Sequence, residues 1–300
     1  MVTFIILHYL VFEETKKCVD SLLKLKGNKH IVIVDNCSPN DSKDKLEKEY
    51  KEHEEVSIIQ NIENNGFAKG NNYGYEYIKD KIDSDFVVVM NNDMEILQED
   101  FISNIYKIYD EEKFFVLAPD IFSTSMKIHQ NPEKITMRTK ESIEKELQKI
   151  EKSIKSEGKL KIKGVLYQIP YMMKIKSIIK RLKKSKDKDY LKRQYNVTLH
   201  GSCLIFSKLY LNKRSKLFFE RTKFYCEAQI LDYECERDNF LRLYDPSIKV
   251  LHHEDVSTNA AFETYLKKAQ FMNNCMKESL IEFLKLLEKD KKNEHKKVDF

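Results

Sequence analysis

Two acidic residues stand where apolar runs of the chain end, and carboxylates can hold a divalent cation or exchange a proton. Asp35 closes the run HIVIVD, and Asp93 closes the polar triplet that follows the run FVVVM. An acid in such a place is about as often a turn former or a helix cap. If the two runs are neighbouring parallel strands, however, both acids lie at one edge of the sheet, which favours a functional site.

A third polar segment lies between the two acids and has the sequence NNGFAKGNN over residues 64–72. Its glycines and amides open a helical pattern, and a helix N-terminus offers N–H groups and a positive dipole end to an anion. The segment matches neither the P-loop nor the G-x-G-x-x-G pattern, which disfavours ATP-type and dinucleotide sites. Taken alone it is a weak signal, because Asn-Gly is common in turns.

Strands and helices that must position these residues alternate in the first third of the chain. Continuous Val/Ile runs predict strands covered on both faces, and their alternation with amphipathic helices predicts parallel βαβ units. The predicted strands are residues 2–7, 30–35, 56–60, 86–90 and 115–118, and the helices are residues 13–25, 43–53, 71–82 and 99–109. We therefore expect an α/β fold with a doubly wound, mostly parallel sheet, and a ligand beyond the C-terminal ends of its strands.

The remainder of the chain divides into three further parts. Residues 132–197 form a basic helical insertion, with ten Lys and Arg between residues 171 and 193. Residues 198–260 return to strand and helix patterns and complete the domain begun by residues 1–131, with strands at 202–206 and 249–251 around a helix at 225–238. Residues 261–300 form a C-terminal amphipathic helix, which we expect to brace the core or to make a homodimer contact.

The composition limits which binding partners and which cellular compartment we expect. The 300-residue chain has a formal net charge of +5, which suits an anionic partner, and six scattered cysteines, which indicate reduced thiols rather than zinc or disulfides. Its apolar N-terminus lacks the features of a signal peptide, and no apolar run approaches the roughly 20 residues that span a bilayer. We expect a cytoplasmic protein, and no nucleic acid as a partner, since no recognition module accompanies the basic residues.

Several motifs then fall in a fixed order along the chain. They are the opening strand into His8-Tyr9, the pattern E-x-T-x-x-C-V-x-S-L at residues 13–22, the segments IVIVDNCSPNDS, NNGFAKGNNYG and VVVMNND, Gly201-Ser202-Cys203, and residues 224–253 with YDP and VLHH. Together they resemble the family 2 glycosyltransferases with the GT-A fold, over about residues 1–130 and 198–260. Within that family the likeness is strongest to capsular and O-antigen polysaccharide enzymes, including rhamnosyltransferases.

The resemblance implies a UDP- or dTDP-sugar donor and a divalent cation, Mg²⁺ or Mn²⁺. Asp35 would pair with the nucleobase, and Asp93 would hold the metal with the diphosphate oxygens. Either His252 or His253 would supply a further ligand, and we take His253. The triplet Asn91-Asn92-Asp93 has one acid where the family has two, so metal binding would rely on the nucleotide. The predicted donor-binding residues are His8, Asp35, Asn36, Asn65, Gly66, Gly70, Asn71, Asn91 and Asn92.

An inverting transfer also needs a base for the acceptor hydroxyl. The family places an acidic pair near the start of the helix predicted at residues 225–238, where this chain has Glu227 followed by Ala228 and Gln229. Glu227 is the predicted base, and Asp232 is the second candidate. The departure from the acidic pair puts both the base and the activity in question.

The resemblance implies a saccharide acceptor that is carried on a lipid diphosphate. The basic stretch at residues 171–193 would then lie on an anionic membrane surface, on the inner face of the membrane, or would be a solvated hairpin. Two alternatives to a glycosyltransferase stay open. One is a sugar-1-phosphate nucleotidyltransferase, and the other is a catalytically degenerate glycosyltransferase that serves as a binding or assembly partner.

Overall fold

A computed structural model describes residues 1–133, 138–155, 189–253 and 264–298 of the chain. The strands are β1 Val2–His8, β2 Lys29–Asp35, β3 Val56–Gln60, β4 Phe86–Asn91, β5 Met94–Glu95, β6 Val116–Ser123, β7 Ile128–His129, β8 Gln194–Tyr195, β9 Cys203–Ser207 and β10 Arg242–His252. The helices are α1 Phe12–Leu23, α2 Ser42–Tyr50, α3 Gly66–Lys79, α4 Phe101–Glu112, α5 Lys140–Lys155, α6 Lys208–Leu211, α7 Glu227–Arg237 and α8 Tyr265–Val298, with a short 3-10 helix at Asp189–Leu191.

One sheet runs through the described part of the chain in the order β3-β2-β1-β4-β9-β6-β10-β5. The first four strands are parallel to one another, and β10 is parallel to β6, while β9 pairs antiparallel with β4 and β6. The predicted α/β fold with a mostly parallel sheet is confirmed. The strands that end near Asp35 and Asp93 are not neighbours, however, because β1 lies between them.

Apolar residues cover both faces of the sheet, as the continuous Val/Ile runs predict. The side chains of β1 alternate between two clusters of buried residues, with Phe4 and Ile6 in one and Ile5 in the other. The first cluster includes side chains of α1 and α4, and the second includes side chains of α3 and α7. Helices on both faces therefore hold the strand ends at fixed positions.

Helix α8 lies against α5 and α7 through a third apolar cluster. Its buried members are Ile143 of α5, Ile230 of α7, and Leu280, Phe283 and Leu287 of α8, together with Cys226. This contact accounts for the apolar stripe that the sequence shows in the C-terminal helix. The expected homodimer contact through α8 stays a prediction.

The basic insertion is described in part only. Residues 171–188 of the predicted membrane-facing stretch lie outside the described residues, and Arg193 at its end forms ion pairs with Glu111, Glu112 and Asp245. Among the residues that the structure describes, no helix combines the length and the apolar character needed to cross a bilayer. The division of the chain into four parts also stays a prediction.

Candidate active site

Three parallel strands end at one edge of the sheet and carry the polar residues predicted from the sequence. His8 at the end of β1 lies opposite Asp35 at the end of β2, and β4 ends at Asn91 on the other side of β1. The backbone N–H of Asn91 donates to the carbonyl of Ser202 at 2.9 Å, which ties this edge to the start of β9. Asp93 follows β4 directly, so both predicted acids are at the same edge.

Asp35 is fully buried, and its carboxylate accepts hydrogen bonds from neighbouring groups of the protein. The backbone N–H of Ser38 donates to Oδ2 at 3.1 Å, and the side-chain amide of Gln60 donates to the same oxygen at 2.9 Å. Gln60 is exposed at the end of β3. A nucleobase that binds Asp35 would therefore have to replace the side-chain amide of Gln60, a residue that no sequence pattern singles out.

His8 is buried beneath the edge, which argues against its predicted role in donor binding. Its Nδ1 lies 2.7 Å from Thr15 Oγ1, and its Nε2 lies 2.8 Å from Ser42 Oγ. Burial lowers the pKa of His8 to about 4, against an opposing effect of Asp35, so the ring is neutral at physiological pH. Asn92 donates to Thr15 Oγ1 at 2.9 Å. His8 and Asn92 thus hold α1 and α2 against the sheet from below the site.

Asn36 organises the loop between β3 and α3. Its side-chain amide donates to Asn64 Oδ1 at 3.0 Å and to the Gly66 carbonyl at 3.2 Å. Its Oδ1 accepts from Asn61 Nδ2 at 3.0 Å and from the backbone N–H of Asn65 at 3.3 Å. Asn36 therefore shapes any pocket at this loop by fixing the loop backbone, and the half-buried Asn65 side chain stays a candidate contact.

Helix α3 is joined to the segment before α7 at two points. Gly66 begins the helix at φ +78°, and a Cβ there would lie 1.9 Å from the Lys223 carbonyl oxygen, so glycine is required. The same oxygen accepts from the backbone N–H of Phe67 at 2.8 Å. Asn72, which the sequence analysis did not select, hydrogen-bonds the backbone of residues 217 and 218 through both its amide atoms. The predicted donor and acceptor halves are therefore directly connected.

Two further predicted residues lie on the face of α3 that approaches the sheet. A Cβ on Gly70 would lie 2.6 Å from a methyl carbon of Leu7, so glycine allows the helix to pack closely against β1. The Asn71 amide donates to the Phe67 carbonyl at 2.9 Å. Its Oδ1 is buried and has no hydrogen-bond partner among the described residues. Gly70 acts through packing, whereas Asn71 has one buried polar atom that no described residue satisfies.

Asp93 is paired with His252, not with the predicted His253. The His252 Nε2 lies 3.3 Å from Asp93 Oδ1, which is buried and has no hydrogen-bond partner within the described residues. The His252 Nδ1 lies 2.7 Å from the side-chain oxygen of Gln130. The His253 ring instead faces Glu95, with Nε2 at 3.3 Å from its carboxylate. The geometry therefore favours His252 over the predicted His253 as the partner of Asp93, and the metal ligand itself stays a prediction.

Glu227 is the first residue of α7 and is 7 % exposed. The two residues before it have positive φ, 71° at Tyr225 and 66° at Cys226, a strained entry of the kind that often accompanies functional residues. Burial raises the pKa of Glu227 to about 8, although the Thr222 hydroxyl and nearby backbone groups lower it in part. Its Oε1 has no hydrogen-bond partner among the described residues. Below pH 8 its carboxyl is therefore mostly protonated.

Asp232, the second candidate base, is held between two arginines. The Arg138 guanidinium donates to both carboxylate oxygens, from Nε at 2.6 Å and from Nη2 at 2.9 Å. The buried Arg242 brings its Nε to within 3.2 Å of Oδ1. Both carboxylate oxygens are thus occupied by guanidinium groups, whose planar forks suit such pairing. This environment favours a structural role for Asp232, which ties α7 to β10 and to the start of the insertion.

Three residues that the sequence analysis did not select form a polar row beside Asp93 and His252. The His200 and His252 rings lie 6.1 Å apart between centroids. The His200 Nε2 is 4.0 Å from Glu133 Oε1, and the Gln229 amide donates to Glu133 Oε2 at 3.2 Å. Their positions depend on chain segments far apart in sequence, so no local pattern points to them. Of these three residues, the sequence pattern draws attention to Gln229 alone, as a departure from the family motif.

The match to known proteins decides the family. A model of the family described as "Glycosyl transferase family 2" matches residues 3–204. The chain belongs to glycosyl transferase family 2. It is 28% identical over 121 residues to the low-salt glycan biosynthesis hexosyltransferase Agl10 of Haloferax volcanii, which is 40% of this chain and 36% of that protein. The chain thus matches about a third of that relative's length.

Solved glycosyltransferases share the fold. S. aureus TarS, residues 1–349 in complex with UDP, gives a TM-score of 0.53 at 13% identity over 94% of this chain and 70% of that one. The mannosyltransferase PcManGT from Pyrobaculum calidifontis, in complex with GDP-Man and Mn²⁺, gives a TM-score of 0.53 at 10% identity over 94% and 73%. At such identities the likeness shows the GT-A fold and nothing finer. This member of family 2 accordingly has the fold expected from its sequence.

Proposed function

We propose that this family 2 glycosyltransferase transfers a hexose or deoxyhexose from a UDP- or dTDP-sugar to a saccharide acceptor, with inversion, in surface polysaccharide synthesis. The observation that carries the proposal is the pairing of Asp93 with His252 at the edge where β4 and β10 end. In this reaction a nucleoside diphosphate is the leaving group, so the negative charge that develops on it must be stabilised where it binds. The pair offers one carboxylate and one imidazole for that purpose.

The Asp93–His252 pair fits a divalent cation. The side-chain oxygen of Gln130 can only accept, so the proton of a neutral His252 is on Nδ1 and its Nε2 directs a lone pair toward the unpartnered Asp93 Oδ1. Metal-binding histidines are typically oriented by such a bond from the second nitrogen. The described residues contain no group of three or more His, Cys, Asp or Glu that could hold a metal ion. The diphosphate would therefore complete the ligand set of Mg²⁺ or Mn²⁺, which supplies Lewis-acid stabilisation of the leaving charge.

The donor would lie along the edge from Asp35 to Asp93. A nucleobase that replaced the Gln60 amide would find an acceptor in Asp35 and a donor in the displaced amide, and Asn71 has a buried amide oxygen near the start of α3. The structures of TarS with UDP and of PcManGT with GDP-Man and Mn²⁺ support a nucleotide-sugar donor and a divalent cation by analogy of fold. Asn65 and Asn91 are half-buried at the same edge and stay candidate contacts.

The acceptor side is formed by the start of α7 and the polar row of Glu133, His200 and Gln229. Glu227 stays a prediction for the base that takes the acceptor proton, and Glu133 is a second acid at this side. We propose a saccharide acceptor carried on a lipid diphosphate, because the net charge of +5 suits an anionic carrier. Peripheral contact with an anionic membrane through residues 171–193 belongs to the same proposal.

The experiment is the release of UDP or dTDP from a panel of nucleotide sugars with water as acceptor. We expect one donor to be hydrolysed in the presence of Mn²⁺ and Asp93→Asn to reduce this rate by about 100-fold, since charge stabilisation of this kind is worth 10²–10³ in rate. Hydrolysis that is equally fast in wild type and Asp93→Asn would contradict the assignment. Glu141→Gln, a substitution of the same type on the exposed face of α5, is the control variant.

One alternative has a specific observation in its favour. Ala228 occupies a place where the family has an acid, which is compatible with a degenerate glycosyltransferase that binds nucleotides without transfer. Nucleotide-dependent thermal stabilisation without hydrolysis of any donor would favour that alternative. Membership of family 2 disfavours the nucleotidyltransferase, whose test is pyrophosphate release from a nucleoside triphosphate and a sugar phosphate.

A further inference from the structure

Position 228 holds an alanine where the family likeness predicts the second acid of a pair. Ala228 lies against Gly201, since a Cβ on that glycine would be 3.3 Å from the alanine methyl. A methyl group takes up no proton. If the enzyme transfers sugar as proposed, the base must therefore come from another residue near the first turn of α7.

Glu133 brings a carboxylate to this place from a different part of the chain. Its Oε2 accepts a hydrogen bond at 3.2 Å from the amide of Gln229, the residue that directly follows the alanine. Its backbone N–H donates to the Thr198 carbonyl at 2.9 Å, and the two residues form an isolated antiparallel bridge. The carboxylate is thus fixed beside the start of α7 by both its backbone and its side chain.

His200 stands on the other side of the same carboxylate. Its Nε2 lies 4.0 Å from Glu133 Oε1, and its own backbone N–H donates to Asn131 Oδ1 at 2.7 Å. The side chains of Glu133 and His200 are 23 % and 25 % exposed, so an acceptor hydroxyl can reach them. Glu227, by contrast, is 7 % exposed.

The position of Glu133 relative to the proposed leaving group also fits a base. A continuous row of side chains leads from Asp93 through His252 and His200 to Glu133. A base for an inverting transfer must face the anomeric carbon from the side opposite the diphosphate, at the distance of one sugar. The carboxylate of Glu133 lies at the far end of this row from the metal pair, with two imidazole rings between them.

We propose that Glu133 is the general base of the transfer, in place of the predicted Glu227, and that His200 positions its carboxylate. The inference rests on the proposed function. The acceptor oxygen bonds to the anomeric carbon while the bond from that carbon to the diphosphate oxygen breaks. The electron pair leaves with the nucleoside diphosphate, and the hydroxyl proton passes to Glu133 and then to solvent. The buried Glu227, mostly protonated below pH 8, then has a structural role.

The test uses water as acceptor and the nucleotide sugar that the wild type hydrolyses fastest, with Mn²⁺. General-base catalysis is worth 10²–10⁴ in rate, so Glu133→Gln is expected to hydrolyse it about 100-fold more slowly. Thermal stabilisation of this variant by UDP and Mn²⁺ should equal that of the wild type, which shows that the fold and the donor site are intact. Glu133→Asp, which keeps an acid, should recover part of the rate, and Glu141→Gln on α5 is the matched control.

Azide distinguishes two explanations of a slow variant, loss of the base and distortion of the site. It needs no base, because it attacks the anomeric carbon without carrying a proton. Sodium azide is expected to raise product release by Glu133→Ala by about tenfold with formation of a glycosyl azide, as removal of a general base predicts. His200→Gln should lower kcat and leave the donor KM unchanged, as expected of a positioning residue.

A Glu133→Gln rate within about threefold of wild type would overturn the inference, and a loss confined to Glu227→Gln would return the base to Glu227. Failure of every nucleotide to stabilise the wild type would overturn the proposed function and the inference together. Normal nucleotide binding with unaffected Glu133 variants would overturn the inference alone.

Discussion

The Nε2 atom of His252 and the Oδ1 atom of Asp93 lie 3.3 Å apart, at the edge where the end of β10 reaches the residues that follow β4. The Oδ1 atom is buried without a hydrogen-bond partner in the described residues, and Gln130 orients the imidazole from its other nitrogen. Two electron-rich atoms held this close are stabilised by a cation between them or by a proton on the ring. The relationship joins two segments separated by more than half of the chain.

Replacing His252 is expected to remove a metal ligand. We predict that His252→Gln weakens the Mn²⁺-dependent part of UDP binding by at least about tenfold, because loss even of a residue that only orients a ligand costs 10–100-fold in metal affinity. The measurement is calorimetric titration of UDP with and without Mn²⁺. His253→Gln is the neighbouring comparison, and its effect should be much smaller, since its ring contacts Glu95 and Thr124. Equal losses in the two variants would contradict the assignment of His252.

Replacing Gly66 is expected to destabilise the connection between α3 and the segment before α7. Alanine at φ +78° costs about 1–2 kcal/mol in backbone strain, and its Cβ would meet the Lys223 carbonyl at 1.9 Å. We predict a loss of more than about 2 kcal/mol in the free energy of unfolding for Gly66→Ala, measured by urea denaturation. Lys69→Ala, on the exposed side of the same helix, should change it by less than about 0.5 kcal/mol. A Gly66→Ala protein as stable as this control would refute the close contact.

Glu227 should make stability depend on pH in a definite direction. Its pKa is raised from 4.5 to about 8 by burial, so between these values the folded state holds a proton that the unfolded state has lost. Its contribution is complete below pH 4.5 and is lost as pH rises to 8, by at most about 1.4 kcal/mol per pH unit. Glu227→Gln removes this loss, so the variant should gain stability relative to wild type between pH 5 and pH 8.

Denaturation of both proteins at pH 5, 6.5 and 8 checks this, and the difference between them cancels other titrating groups. A difference that stays constant with pH would show that Glu227 is ionised in the folded protein. In that case its role as a base would regain support.

The sequence predicted the edge of the sheet well, because strand periodicity and polar strand ends are local signals. Asp35, Asp93 and the segment at residues 64–72 were located from such patterns, and their meeting at one edge follows from parallel strands. The position of β1 between β2 and β4 could not be predicted, because the crossover connections, and not local sequence patterns, set the order of strands in a sheet. Helix α3 begins at Gly66, five residues earlier than predicted, because glycine and amide composition resembles a turn.

The choice between His252 and His253 shows the limit of a sequence pattern. Successive side chains in a strand point to opposite faces, so one histidine faces Asp93 and the other faces Glu95. Which one faces the site depends on the register of β10 with β5, a contact between distant segments. Glu133 was missed for a related reason, because its place beside α7 depends on contacts with Thr198 and Gln229, which are far along the chain.

The most direct test of the central claim is a calorimetric titration of UDP into the wild type and into Asp93→Asn, each with and without Mn²⁺. The account predicts that Mn²⁺ strengthens UDP binding to the wild type by at least about tenfold and that Asp93→Asn abolishes this increase while binding UDP alone as the wild type does. UDP binding that is unaffected by Mn²⁺ in the wild type, or an equal Mn²⁺ effect in Asp93→Asn, would contradict it.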